Sequence, residues 1–464
     1  MRTRSKLAIV TLVAGLATAQ PAFAQAPGSG ATPPPVELGR APVTDTQKPP
    51  GNVKYEKKTE CTGSLSTGDI VLPNKPWGQQ QLRIEEAQKF ATGKGQVVAV
   101  IDTGVRVHDF LPRERLIDGP DYVNTTANST EDCDGHGTEV AGIIAARTPD
   151  STQIGFTGVA PDAKIKAIRQ SSEKYRGTPQ PTTDNPQPQE QNAGDLNTLA
   201  QAIRNAADDP AVTVINMSVD SCRSSAKPIS DAERDLQRTL RYAVDHNKVV
   251  VASAGNKGNN CPDPNNGRDP NNPAYIVTPP WFADDVLSVA AVDRKGNLAD
   301  FSVQGPWVSV AGPGTEIISL DPSGKLANLT IDGGRSIPIQ GTSFAAPYVA
   351  GVAALVRERF PKLTAREVMN RIKATAQHPS APGGRDNRVG YGMINPIAAL
   401  TAMIPSESGI AADKAVALPP NMPPYKRKDW SAMNVALIGT GGGIVLLLLT
   451  MFIMHTLRRN KKVS

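Results

Sequence analysis

The sequence predicts an α/β fold: a doubly wound, mostly parallel sheet flanked by helices, with an N-terminal arm and one C-terminal transmembrane helix. Three observations carry this. Short, continuous apolar runs recur through the middle of the chain, at Val97 to Ile101, Ile165 to Ile168, Val212 to Ile215, Val249 to Ala252, Val286 to Val292 and Val308 to Ala311, and such runs mark strands buried on both faces. Segments of helical character lie between or after them, near 137–146, 195–207, 231–246, 343–359 and 364–375. Strand alternating with helix gives a parallel sheet covered on both sides. The two remaining apolar stretches stand at the ends of the chain and differ in length.

Residues 1–24 combine a basic start, an apolar stretch from Leu7 to about Ala17, and Ala22-Phe23-Ala24 before Gln25. These are the parts of a signal peptide, so cleavage after Ala24 is expected; the run is too short to span a bilayer. Residues 25–89 begin rich in Pro, Gly, Ala and Thr, without an aliphatic pattern, and are expected to wrap as an arm around a body at 90–402. Inside that body, 170–195 carries Pro179, Pro181, Pro186 and Pro188 among polar residues and reads as a flexible loop. A Pro-rich linker follows at 403–429. Residues 430–457 contain no Asp, Glu, Lys or Arg and are long enough for one membrane helix. The tail, 458–464, holds Arg458, Arg459, Lys461 and Lys462, which places it in the cytoplasm and the body on the extracytoplasmic side of the cell membrane.

The formal charge is +6, but removing the three basic residues of the leader and the four of the tail turns it into −1. A basic surface for nucleic acid does not survive that subtraction, and no nucleic-acid partner is expected. Four cysteines in an exported chain, with no C-x₂-C spacing, point to two disulfides rather than a metal site.

The chemistry gathers where strands end. Asp102 closes the first apolar run; alone it would be an ordinary turn former. Asp134-Gly135-His136-Gly137-Thr138 opens a helix of small apolar residues, a setting that none of the other four histidines shares. Gly341-Thr342-Ser343-Phe344-Ala345-Ala346-Pro347 leads into a helix with an Ala and Gly face, and an isolated Ser there would be an N-cap. Together they fit one mechanism: Ser343 attacks a carbonyl, His136 takes and returns the proton, and Asp102 holds the imidazole. Asn256, just past another strand end, is placed to join the Ser343 backbone N–H as an oxyanion donor.

The order Asp, His, Ser, with Val100-Ile101-Asp102-Thr103-Gly104, Gly135-His136-Gly137-Thr138, Val214-Ile215-Asn216-Met217-Ser218, Ser253-Ala254-Gly255-Asn256 and the Ser343 segment, resembles the subtilisin-like serine proteases over roughly residues 90 to 402. The exported body, Pro-rich arm, cysteine placement and C-terminal helix resemble the mycosins, membrane-anchored subtilases of type VII (ESX) secretion systems. The resemblance implies a subtilisin-like fold and a serine endopeptidase. Its catalytic residues would be Asp102, His136 and Ser343, its oxyanion donor Asn256, and its substrate-binding residues Ser218, Val219, Ser253, Ala254 and Gly255. It further implies protein or peptide substrates, secreted ESX-type proteins among them, and partners in a membrane secretion complex, which the chain would also stabilise. No metal and no cofactor is expected. One departure stands out: subtilisin-like enzymes often carry a glycine after the Ser-Leu pair that lines the substrate cleft, whereas this chain reads Ser218-Val219-Asp220.

Three disulfide connectivities are open to four cysteines. Cys222 follows Ser218 and Cys261 follows Asn256, two strand ends that converge on one cleft, so Cys222 with Cys261 and Cys61 with Cys133 are the expected pairs. Two other readings compete. A subtilase fold kept mainly as a structural part of a secretion complex predicts little turnover, and the complete set of catalytic residues argues for an enzyme. An aspartic protease would need two Asp-Thr-Gly loops, and the chain has one.

Overall fold

The computed structural model describes residues 31–408 except 38, 48–52, 63–69, 125–127, 182–185, 259–260, 270 and 333–334, together with residues 431–460. The leader 1–24, most of the linker and the end of the tail lie outside the described residues.

The apolar runs and one further segment, Leu116–Asp121, fold as strands β1 (Val97–Asp102), β2 (Leu116–Asp121), β3 (Lys164–Arg169), β4 (Val212–Met217), β5 (Val249–Ser253), β6 (Leu287–Val292) and β7 (Val310–Pro313). They form one sheet in the order β7-β6-β5-β4-β1-β3-β2, parallel at every pairing. Every residue of β1, β5 and β6 is buried, as continuous β-branched and Ala sequence requires when both faces are covered. β2 has no apolar run to announce it. Its Asp118-Gly119-Pro120-Asp121 reads as a turn, and it survives as a strand because it lies at the sheet edge, pairing only with β3 through a register shift.

The longer helices of the body are α1 (His136–Ala145), α2 (Leu196–Asp208), α3 (Asp231–Asp245), α4 (Thr342–Arg359) and α5 (Ala365–Ala374). Capping boxes start α2, α3 and α5, from Asp195, Ser230 and Thr364. α4 is different. It is buried on all sides from Thr342 to Arg357, packing on α1 and on β4, β5 and β6. Its small residues allow that approach: a Cβ on Gly351 would lie 2.5 Å from the Val159 side chain.

Where it is described, the arm lies on the body through specific contacts. Gln237 Nε2 donates to the Pro34 carbonyl at 2.8 Å, Glu37 pairs with Arg234 and Arg238 at 3.1 and 3.3 Å, and Asp45 accepts from Tyr122 Oη at 2.6 Å and Asn205 Nδ2 at 2.9 Å. Glu56–Lys57 adds antiparallel to Ser172–Gly177, which pairs with Gln191–Ala193. The stretch read as one loop at 170–195 thus contributes two strands to a small sheet. Backbone pairing builds it, over a cluster of Val53, Tyr55, Val123, Cys133, Tyr175 and Ala193, so no apolar run announces it. The packed body also starts earlier than residue 90: the turns Trp77–Gln81 and Ile84–Ala87 put Leu82, Ile84 and Ala87 into the main core. Burying each of the larger two contributes roughly 1.5–3 kcal/mol.

Both disulfides form as expected, Cys61 with Cys133 and Cys222 with Cys261, with Cα atoms 4.5 and 5.6 Å apart. Closing loops of 72 and 39 residues contributes roughly 4 kcal/mol each in the chain-entropy account. A separate unit, the helix Ser431–Asn460, holds an apolar span at Met433–Arg458 with mean hydropathy 2.2. Its 26 residues rise about 39 Å, enough for a hydrocarbon core of about 30 Å.

Candidate active site

Asp102 is the last residue of β1 and wholly buried. Its Oδ1 accepts from the Thr103 backbone N–H at 2.8 Å and lies 2.7 Å from His136 Nδ1. With Nδ1–H donating to the carboxylate, Nε2 is left as the acceptor. His136 is the first residue of α1 and keeps 29% side-chain exposure, so its free edge meets the cleft. The glycines around it are structural. Gly135 sits at φ 90°, a left-handed conformation, and a Cβ on Gly137 would lie 1.9 Å from the Gly104 carbonyl oxygen.

Asp132 was not read from the sequence, and it organises this corner. One oxygen accepts from Thr103 Oγ1 at 2.9 Å and the Gly135 N–H at 2.8 Å; the other accepts from the Thr138 N–H at 2.9 Å and its hydroxyl at 2.6 Å. Thr103 Oγ1 in turn accepts from the Gly137 N–H at 2.9 Å. A single buried carboxylate therefore ties the end of β1 to the start of α1. The signal was present as an Asp shortly before a helix start with Thr138 in its first turn, a capping arrangement displaced by three residues from the N-cap Gly135.

Ser343 lies at the other entrance, second in α4 and 8% exposed. Pro347 has no N–H to give the Ser343 carbonyl, which in an unbroken helix would receive one from four residues on. The Ser218 hydroxyl supplies the missing donor at 2.7 Å and itself accepts from Asn216 Nδ2 at 3.0 Å. The end of β4 thereby fixes the first turn of α4. Asn256 is oriented in the same way: its Oδ1 accepts from the Thr342 N–H at 2.9 Å and Thr342 Oγ1 at 3.0 Å, which leaves Nδ2 to face outward. The Ser343 N–H belongs to the first turn of α4, where amides lack helical partners.

His136, Ser343, Asn256, Ser218 and Val219 line one cavity of about 1160 Å³, with Asp102 directly behind the imidazole. Ser253, Ala254 and Gly255 are buried beside it rather than among its lining residues. The Phe344 ring packs 5.0 Å from the imidazole. Among the described residues no hydrogen bond joins His136 to Ser343, although both line the same cavity.

The charges follow from burial and neighbours. Burial opposes a charged imidazole, but the Asp102 carboxylate outweighs it by charge and hydrogen bond, raising His136 to about 9. Burial lifts Asp132 against its four hydrogen bonds. Glu139, one turn along α1, is raised to about 8 by burial, against the pull of His136 and with the push of Asp132, Asp321 and Asp102. Surrounding protein raises Asp220 to about 6 against the Ser253 hydroxyl and the His136 charge, although the residue keeps an exposed side in the cavity.

A buried acid, an imidazole held by it, a hydroxyl at a helix start and two outward N–H donors are the parts that acyl transfer by a serine requires. Comparison with known proteins agrees. The model of the subtilase family matches residues 93–392. Mycosin-1 of Mycobacterium tuberculosis is 40% identical over 451 residues, covering 94% of this chain and 96% of that protein. The solved structure of the serine protease MycP1, described as an essential component of the type VII (ESX-1) secretion system, superposes with a TM-score of 0.71 at 37% identity, covering 80% of this chain and all of that one. A chain of the intact ESX-5 inner membrane complex gives 0.71 at 34% identity, covering 90% and 99%. The chain therefore belongs to the subtilase family, among its mycosins, and is a serine protease of subtilisin-like fold.

Proposed function

We propose that this chain is an exported, membrane-anchored serine endopeptidase that cuts protein substrates of a type VII secretion system and also stabilises the membrane complex through which they pass. Ser343 Oγ attacks the peptide carbonyl while His136 Nε2 takes its proton; Asp102 holds the imidazole and stabilises its charged form. The oxyanion receives hydrogen bonds from Asn256 Nδ2 and the Ser343 N–H. His136 then returns the proton to the leaving amine, and water repeats the sequence to release the acyl group. The observation that carries this reading is the 2.7 Å contact between His136 and Asp102 behind a cavity that also presents Ser343 and Asn256.

The anchoring rests on the apolar helix Ser431–Asn460 and the basic residues after it; the leader carries the body across the membrane. The secretion partners rest on the relatives, one described as essential to ESX-1 and another solved within the ESX-5 inner membrane complex. That second relative also favours a larger structural share, in which turnover matters less than presence in the complex.

Ser343→Ala tests both halves. The variant is expected to fold normally and lose nearly all cleavage of a peptide library, and Asn256→Ala to lose about 10²–10³ in turnover, the usual effect of removing one oxyanion donor. Cleavage by Ser343→Ala at the wild-type rate sinks the triad. Export is expected to survive Ser343→Ala and fail when the whole chain is deleted; equal failure in both strains removes the structural half.

A further inference from the structure

Asp220 occupies an unusual place for a carboxylate. It lies two residues after Ser218, whose hydroxyl holds the nucleophile's carbonyl, and its Oδ2 accepts from Ser253 Oγ at 3.3 Å, three residues before Asn256. It therefore joins the two segments that flank Ser343. The wall that carries it is fixed on both sides: Ser221–Ser224 pairs antiparallel with Tyr275–Thr278, and Cys222 is bonded to Cys261. Asp220 lines the cavity and keeps an exposed side, yet among the described residues it makes no ion pair. The cations nearby are engaged elsewhere, Arg223 with Glu233 and His136 with Asp102, each at 2.7 Å. Other lining residues add the same sign, Glu60, Asp134, Asp195, Glu173 and Asp321 against Lys174 and the His136 imidazole, while burial keeps Glu139 protonated.

An unpaired carboxylate on a rigid wall of the cavity that also presents Ser343 is a receptor for a cation. A glycine in its place would leave an uncharged slot. We propose that Asp220 is a specificity-determining residue and that the side chain on the acyl side of the cleaved bond is basic, Arg or Lys. This rests on the proteolytic reading for its biological use, but its physical content is a binding preference that needs no turnover.

The test uses the full chain in detergent, carrying Ser343→Ala so that nothing is cut, and acetyl-tetrapeptides that differ only in a last residue of Arg, Lys, Gln, norleucine or Glu. Arg and Lys peptides are expected to bind about tenfold or more tightly than the Gln and norleucine peptides, with Glu weakest. Adding Asp220→Asn should bring all five within about threefold, and adding Asp220→Glu instead should keep the order. Neutral or acidic peptides binding as well as basic ones overturns the proposal without any variant, as does a basic preference that persists in Asp220→Asn. Cleavage by the unsubstituted chain separates the two ideas. Intact basic preference with no cleavage sinks the protease and leaves Asp220 standing, whereas cleavage after small neutral residues sinks Asp220 and leaves the protease.

Discussion

Ser218 shows how a backbone deficit becomes a positioning device. Pro347 leaves one carbonyl of α4 without a donor, and that carbonyl belongs to Ser343; a buried acceptor so stranded costs roughly 1–3 kcal/mol, which the Ser218 hydroxyl offsets. Ser343, the proposed nucleophile, is thus located by a bond to its own main chain. His136 gives the residue-scale prediction. A general base works only when deprotonated, so a group raised from the ordinary ~6.5 to about 9 has its working form depleted at neutral pH and restored as pH rises. Turnover should climb through pH 8 and level off only above about 9. Asp102→Asn removes the raising charge and leaves the burial, so the midpoint should move down while the plateau falls. The check is kcat/KM against pH for both proteins; a wild-type plateau already reached at pH 7 excludes the assignment.

Asp132 belongs to the scale of elements, because it fastens β1 to α1 and touches neither substrate nor imidazole. Asp132→Asn turns one acceptor into a donor facing N–H and O–H groups, and the loss should be about 1–3 kcal/mol of stability. Chemical denaturation would measure it, and an unchanged midpoint with unchanged slope contradicts the role. The same scale shows what was legible in the sequence. Strands β1, β3, β4, β5, β6 and β7 and helices α1 to α5 were readable because each carries its own apolar run or helical pattern, and Asp102, His136, Ser343 and Asn256 because each ends a strand or opens a helix. Edge strand β2 was hidden by Gly119 and Pro120. The sheet of Glu56–Lys57, Ser172–Gly177 and Gln191–Ala193 was hidden because its register is set by backbone pairing, on one side with a segment more than a hundred residues away, rather than by an apolar run. Asp132 was invisible for a related reason: its partners Thr103 and Thr138 become neighbours only when β1 and α1 meet.

For the molecule as a whole, the leader, the body and the helix Ser431–Asn460 define one expected topology. Protease added to cells stripped of their outer layers should reach the body and spare the last seven residues. Digestion of the tail with protection of the body would invert the orientation. The two disulfides also govern timing. Inside the cell, where thiols stay reduced, the cleft wall bearing Asp220 is not yet bonded to the segment after Asn256, and the arm is not yet tied three residues before His136. Competence to cut should then arrive only after export, when oxidation closes both loops. A chain refolded under reducing conditions is expected to cleave peptides at least tenfold more slowly than the oxidised one, roughly 1.4 kcal/mol in barrier. So built, the enzyme would be harmless to the cytoplasm that makes it, protected by the redox state of the compartment rather than by a dedicated inhibitor.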